Sequence, residues 1–169
     1  MFKTSSSLNE LIFKSYIVEW IEILIKFINE LSKEHGEQPW KKLGKLQWKI
    51  GRKWIKENLS RLGVKGEDAI AGAEIVRLGL QTLAPGLYSQ REFKIIESSP
   101  KKVVVEMSAW CPVLEACKKM NIDPKIPLDY LVRQRLLGML QTINPKLNMD
   151  FVKIDKNTLR CQLVIEVLD

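Results

Sequence analysis

The chain has 169 residues, 46% of them hydrophobic and 28% charged, which is long and apolar enough for one domain with a real core. That composition excludes a disordered chain, a disulfide scaffold and a collagen-like repeat. The net charge is +7, and the excess is local: Lys41, Lys42, Lys45, Lys49, Arg52, Lys53, Lys56 and Arg61 share one segment with a single acid, Glu57, while the rest of the chain is balanced.

The first predicted element is a helix from Leu8 to Ser32, ending at Gly36. It is the most apolar stretch, yet it carries Glu10, Lys14, Glu19, Glu22, Lys26 and Glu30, each costing roughly 2.5–3.5 kcal/mol at a bilayer centre. It therefore reads as a bundle helix with a broad apolar arc and not as a transmembrane span. Glu10–Lys14 and Glu22–Lys26 have the spacing and order of favourable helix-surface pairs. The apolar arc over residues 8–32 is wide enough to cover itself with a second copy, which makes a homodimer through this helix an expectation. Met1 to Ser7 lacks the pattern of a secretory leader, and three cysteines cannot all pair within one chain. The expected location is intracellular and cytoplasmic, with thiols that are free or metal-bound.

A second helix is predicted from Pro39 to Leu62, with Pro39 in the first turn and Gly63 as its C-cap. At about 100° per residue, Lys41, Lys42, Lys45, Lys49, Arg52, Lys53 and Lys56 fall within an arc of about 120°. Trp40, Leu43, Leu46, Trp48, Ile50, Trp54, Ile55, Leu59 and Leu62 fill the rest. Two readings follow: a solvated helix face, or a surface for nucleic acid, anionic lipid or an acidic protein. Lysine dominates, whereas arginine is favoured for forked phosphate contacts, and no motif for sequence readout is present.

The third predicted helix runs from Glu67 to Leu83 and stops at Ala84-Pro85-Gly86. Gly72 and Gly79 lie two turns apart on it. Each costs about 1 kcal/mol of helix stability, which points to close approach of a neighbouring helix or of a ligand. The period then changes. Arg91–Ser98 and Lys102–Ser108 form a predicted hairpin about Ser98-Ser99-Pro100. Two helical stretches follow, Pro112–Met120 and Leu128–Thr142. A second hairpin joins Met149–Ile154 to Leu159–Val167 through Asp155-Lys156-Asn157, its last strand alternating apolar Leu159, Cys161, Leu163, Ile165 and Val167 with mostly polar neighbours. The order ααα-ββ-αα-ββ predicts an α+β fold: a four-stranded antiparallel sheet with helices packed on one face. The chain reads as a single domain, helical over residues 1–86 and sheet-containing over 87–169.

The cysteines carry the chemical signal. Trp110-Cys111-Pro112 sits where strand gives way to helix, which puts Cys111 at an N-cap. A helix N-terminus lowers a thiol pKa. Cys117 lies nearly two turns on, and Cys161 belongs to the buried face of the last strand. The three are either small buried apolar residues or a convergent thiol site. In the second case Cys111 serves as nucleophile, with Glu115, Asp129 or His35 as proton carrier, or Cys111 and Cys117 serve as metal ligands. The spacing between Cys111 and Cys117 is not a standard zinc spacing, and no fourth ligand is evident. Gly63-Val64-Lys65-Gly66 lacks the spacing and the preceding strand of a phosphate loop.

Cys111-Pro112, the segment Glu115 to Ile122, Asn144-Pro145-Lys146-Leu147 and the closing strand with Cys161 together resemble the L-2-amino-thiazoline-4-carboxylic acid hydrolase-like family. They are similar more distantly to the 4-vinyl-reductase-type small-molecule-binding domains, which share a fold with haem-nitric-oxide-binding and Golgi-tethering proteins. The resemblance covers about Val103 to Val167. It implies helices packed on an antiparallel sheet around an apolar pocket near Cys111, Cys117 and Cys161. The namesake activity would be hydrolysis of a cyclic C–N bond. Where family members carry a further cysteine, this chain reads Pro127-Leu128-Asp129-Tyr130; a four-thiolate site is thereby lost, but not the pocket.

The favoured expectation is a small-molecule-binding or sensor-type protein whose pocket is lined by Gly72, Val76, Gly79, Leu136, Met139 and Cys161, with Gly138 giving further backbone access. The alternatives are a thiol- or metal-dependent hydrolase using Cys111 and Glu115, and a binding protein for nucleic acid or an acidic partner using Lys41, Lys45, Lys49, Arg52, Lys53 and Lys56. Neither the ligand nor a cofactor is identified by these residues.

Overall fold

Eleven consecutive elements account for most of the chain in a computed structural model that describes residues 5–83, 93–108 and 110–169. Three helices come first, α1 (Ser5–His35), α2 (Gln38–Leu62) and α3 (Ala69–Leu83). Strands β1 (Phe93–Ser98) and β2 (Lys102–Met107) precede α4 (Pro112–Met120), α5 (Lys125–Leu128), a π-helical turn (Asp129–Arg133) and α6 (Gln134–Ile143). Strands β3 (Leu147–Asp155) and β4 (Arg160–Val167) complete the α+β fold. Arg91, Glu92 and the predicted stop at Ala84-Pro85-Gly86 lie outside the described residues.

The sheet is antiparallel throughout, in the order β1-β2-β4-β3. The C-terminal hairpin thus inserts β4 beside β2 and leaves β1 and β3 at the edges. The helices pack on the inward face of the sheet, α3 against β2 and β4, and α6 against β3. The core at this junction is apolar: Val103, Val105, Met107, Cys161, Leu163 and Ile165 from the sheet, with Val76, Leu136, Met139 and Leu140 from the helices. Each large aliphatic side chain so buried contributes about 1.5–3 kcal/mol. Asp68 caps α3 by accepting the Ala71 amide at 2.9 Å, which starts that helix two residues later than its predicted first position.

Helix α2 is fastened to α6 through glycines. A Cβ at Gly51 would stand 1.9 Å from the Arg135 carbonyl oxygen, and one at Gly138 would stand 2.0 Å from that of Trp48. The two backbones touch because neither helix has a side chain at the crossing. The indole of Trp48 also donates to Gln141 Oε1 at 3.0 Å. Gly138 is therefore a packing residue and opens no backbone to a ligand. The end of α2 matches expectation, with Gly63 as C-cap at φ 69°.

Two predicted elements differ in detail. The helix expected over Leu128–Thr142 begins at Lys125 and contains a π turn, held on its outer side by the Asp129–Arg133 ion pair at 3.0 Å. Leu159, expected as the first residue of the last strand, instead turns the hairpin at φ 57°. The Asp155 carboxylate organises that turn, accepting the Asn157 amide at 2.9 Å and the Thr158 hydroxyl at 2.7 Å.

Candidate ligand cavity

Between α1 and the near end of the sheet the core is incompletely filled. A cavity of about 160 Å³ is lined by Ile17, Ile21 and Leu24 of α1, Gln47 of α2 and Leu80 of α3. Met107 of β2, Phe151 of β3 and Cys161 of β4 line it from the sheet. The wall is completed by Cys111, Pro112 and Val113 at the start of α4 and by Leu128, Leu131 and Val132 around the π turn. The α1 residues are the inward positions at steps of four and three. The π turn sets Leu131 and Val132 on the wall together; such turns often mark functional sites.

Of the residues expected to form a pocket, Cys161 lines this cavity, and Gly72, Val76, Gly79, Leu136 and Met139 do not. A Cβ at Gly72 would meet Ile165, Leu140 and Leu147 at 3.0–3.3 Å, and one at Gly79 would meet Met139 Sδ at 2.7 Å and Leu136 at 3.0 Å. The interior beneath α3 is filled by side chains. The missing side chains of the two glycines admit α6 and the sheet, so the neighbouring-element reading of this glycine line holds in place of the ligand reading. Gln47 is the residue that the sequence reading missed. It interrupts the apolar arc of α2 between Leu43 and Trp54, and a lone carboxamide in that position was the available signal.

Cys111 caps α4 with extended backbone (φ −114°, ψ 112°) and Pro112 behind it. The expected depression of its pKa does not occur. Burial pushes the Cys111 thiol up, and hydrogen bonds from the Leu114 and Val113 backbone offset only part of this. Cys117 is pushed up to about 12 by burial, with the neighbouring Cys111 adding to the effect. Burial also raises the Cys161 thiol, again with a contribution from Cys111. Cys111 is thus within electrostatic reach of both other thiols, and all three cysteines are free and buried.

The partners needed for thiol chemistry are engaged elsewhere. Glu115 accepts a hydrogen bond from the Trp110 indole, and Lys14 lies 5.4 Å over the same ring. Asp129 pairs with Arg133. His35 sits exposed beside Glu34 at the end of α1, eleven residues beyond the cavity-lining Leu24, or about 16 Å along the helix at 1.5 Å per residue. Among the described residues no group of three or more His, Cys, Asp or Glu side chains could hold a metal ion. Cys111 and Cys117 thus belong to no such group among the described residues.

The basic side chains lie where the helical wheel puts them. Lys41, Lys45, Lys49, Arg52, Lys53 and Lys56 are all exposed on α2. Lys41 pairs with Glu37 at 3.0 Å, and the hydrogen bond to that carboxylate raises its pKa. Lys53 stands 3.8 Å from Glu57, and the Arg52 guanidinium lies 5.2 Å over the Trp48 ring. Among the described residues no helix is long and apolar enough to cross a membrane.

These features define an α+β domain with a small apolar cavity and a separate cationic helix face. No family model matches the chain, and no curated protein matches it. Its fold is similar to that of a solved structure, a trafficking protein particle complex subunit 3 from Naegleria fowleri covalently bound to palmitic acid. The TM-score is 0.52 at 13% identity, covering 88% of this chain and 95% of that one.

Proposed function

We propose that the protein binds a small apolar molecule in the cavity walled by α1, α4, the π turn and the sheet. The cavity itself carries the reading: about 160 Å³ with a mainly apolar lining, the size at which an apolar protein cavity takes up benzene. The neighbour of like fold, covalently bound to palmitic acid, supports an apolar ligand in general terms. Thiols held protonated by burial make poor acylation nucleophiles. The same protonation weighs against the thiol-hydrolase alternative, which needs an ionised Cys111 and a free proton carrier. A resemblance to the aminothiazoline-carboxylate hydrolase-like proteins is compatible with a pocket at this place without requiring their chemistry.

Titration with toluene, followed by methyl-resolved NMR, tests the proposal. Shifts are expected at Ile17, Leu80, Leu131 and Val132, and loss of those shifts in Leu131→Phe, which fills the space. Unchanged spectra at saturating toluene would overturn it.

Two surfaces support proposals about partners. The cationic face of α2 is a docking surface for nucleic acid or an acidic protein, supported by the exposure of all six predicted side chains. The outward face of α1 is a homodimer interface. Phe13, Tyr16, Trp20, Ile23 and Phe27 are each 44–59% exposed at spacings of three, four, three and four, the a/d pattern of a coiled-coil seam.

A further inference from the structure

A second concavity lies on the surface between the C-terminal end of α1 and the start of α2, a groove of about 400 Å³. Ile28 and Leu31 of α1 with Leu43 and Leu46 of α2 give it an apolar lining, and His35 and Lys42 stand at its rim. Leu46 is 57% exposed, and Ile50, one turn further along α2, is 47% exposed. Groove and Ile50 together make an apolar strip beside α2 from Pro39 to Ile50, about 16 Å at 1.5 Å per residue, or roughly three turns of a helix laid along it. The strip starts beyond Phe27, past the aromatic row of α1.

The cationic stripe borders this strip. At about 100° per residue, Lys42, Lys49 and Lys53 stand within about 60° of Leu46 around the helix. All three are exposed, and Lys42, Lys45 and Lys49 have no carboxylate partner among the described residues. A nucleic acid would use these charges and leave Leu46 and Ile50 bare. Base stacking needs a free aromatic face, yet Trp48, the ring beside the stripe, carries Arg52 at 5.2 Å and gives its N–H to Gln141. Lysine supplies charge without the fork that fits phosphate. Charge and apolar strip are both matched by a protein segment that is acidic and amphipathic.

We infer that the cationic face of α2 docks an acidic amphipathic helix of about three turns, with its aliphatic side chains in the α1–α2 groove and its carboxylates against Lys42, Lys45, Lys49 and Lys53. The inference rests on the proposed docking role of this face and names its partner. On such a helix, aliphatic residues at steps of three and four enter the groove, and the acids on the flanking positions set approach and register.

The test uses two synthetic peptides of leucine, glutamate and alanine, each about fifteen residues or roughly four helical turns, with blocked ends and identical composition. One has leucine at steps of three and four; the other is a scramble without that period. Fluorescence anisotropy on the native chain should show the periodic peptide binding at least about fivefold tighter than the scramble, a comparison that needs no variant to fold. Leu46→Ser with Ile50→Ser, both exposed positions, should weaken the periodic peptide on the order of tenfold, as expected for lost aliphatic contact, and leave salt elution from heparin unchanged. Lys42→Gln, Lys45→Gln and Lys49→Gln together should weaken both. If the two peptides bind alike, or if duplex DNA binds the native chain more tightly than the periodic peptide, this inference is overturned and the docking role of the stripe stands. If the native chain holds neither peptide, heparin nor DNA, the docking role fails and this inference fails with it.

Discussion

Cys111 shows two local forces in opposition. Its N-cap position draws stabilisation for a thiolate from backbone N–H groups, and this much follows from Trp110-Cys111-Pro112 alone. Burial acts the other way and prevails. No local sequence pattern reports how fully a cap residue will be covered, because the covering groups come from α1, the sheet and the π turn. The consequence is measurable. In the folded protein, alkylation of Cys111, Cys117 and Cys161 by iodoacetamide at neutral pH should be far slower than in denaturant, with mass spectrometry as the readout. Rapid modification of folded Cys111 would restore the nucleophile reading. Stability should follow the same shift. Unfolded thiols release their protons near the ordinary 9.0, whereas folded Cys117 holds its proton to about 12. Between those values the unfolded chain binds fewer protons, so stability falls as pH rises through that window and is unaffected by this group below it. Denaturation series at pH 8 and pH 10.5 should show the loss, and Cys117→Ala should reduce it.

Helix α2 carries two independent messages. Its inner side is set by packing: Gly51 receives the Arg135 carbonyl of α6, and Gly138 of α6 receives that of Trp48. The two-turn interval of Gly72 and Gly79 made the close approach of a neighbour legible in α3, whereas the close approach at Gly44 and Gly51 of α2 emerges only in the folded chain. Which element approached was not legible, because that depends on contacts with elements far along the chain. The α+β order, the hairpins, the sheet and the cap at Gly63 were legible because each follows from local periodicity or turn chemistry. The cavity was legible only in part. Cys111 and Cys161 adjoin it, but its volume arises where α1, α4 and the π turn fail to close, a sum over elements that no single window contains. The outer side of α2 is the second message and yields a prediction. Lys45, Lys49 and Lys53 are exposed, and the only ion pair among them in the described residues is the long one of Lys53 with Glu57. Reversing all three to Glu should leave the melting temperature nearly unchanged, since exposed ion pairs are worth about 0–1 kcal/mol. Affinity for a heparin column or for duplex DNA should drop sharply, with the slope of log affinity against log salt shallower by roughly 2–3. Unchanged salt elution would identify the stripe as a solvated face.

At the scale of the whole molecule, the unbalanced feature is α1. Its inward positions Val18, Ile25 and Ile28 are buried in the core, while on its other side Phe13, Tyr16, Trp20, Ile23 and Phe27 present a row of large apolar groups to solvent. Tyr16 and Trp20 already meet edge to face at 6.1 Å, so part of this face is ordered before any partner arrives. An exposed apolar row of this length is characteristic of an interaction site. The flanking charges favour a second copy over an unrelated chain. Glu19 and Lys26 border the seam, are exposed, and make no ion pair among the described residues. In an antiparallel pairing of two α1 helices about a two-fold axis near residues 22–23, Glu19 of each copy faces Lys26 of the other, and the seam residues interleave. The proposed dimer should appear as twice the 19.5 kDa chain mass in sedimentation or light scattering at micromolar concentration. Trp20→Glu combined with Phe27→Glu should give monomer with little change in helicity, because both side chains lie outside the core. Charge reversal at one site, Glu19→Lys, should weaken the dimer by setting lysine against lysine, and the double exchange Glu19→Lys with Lys26→Glu should restore it. A native chain that sediments as monomer across this range would remove the interface.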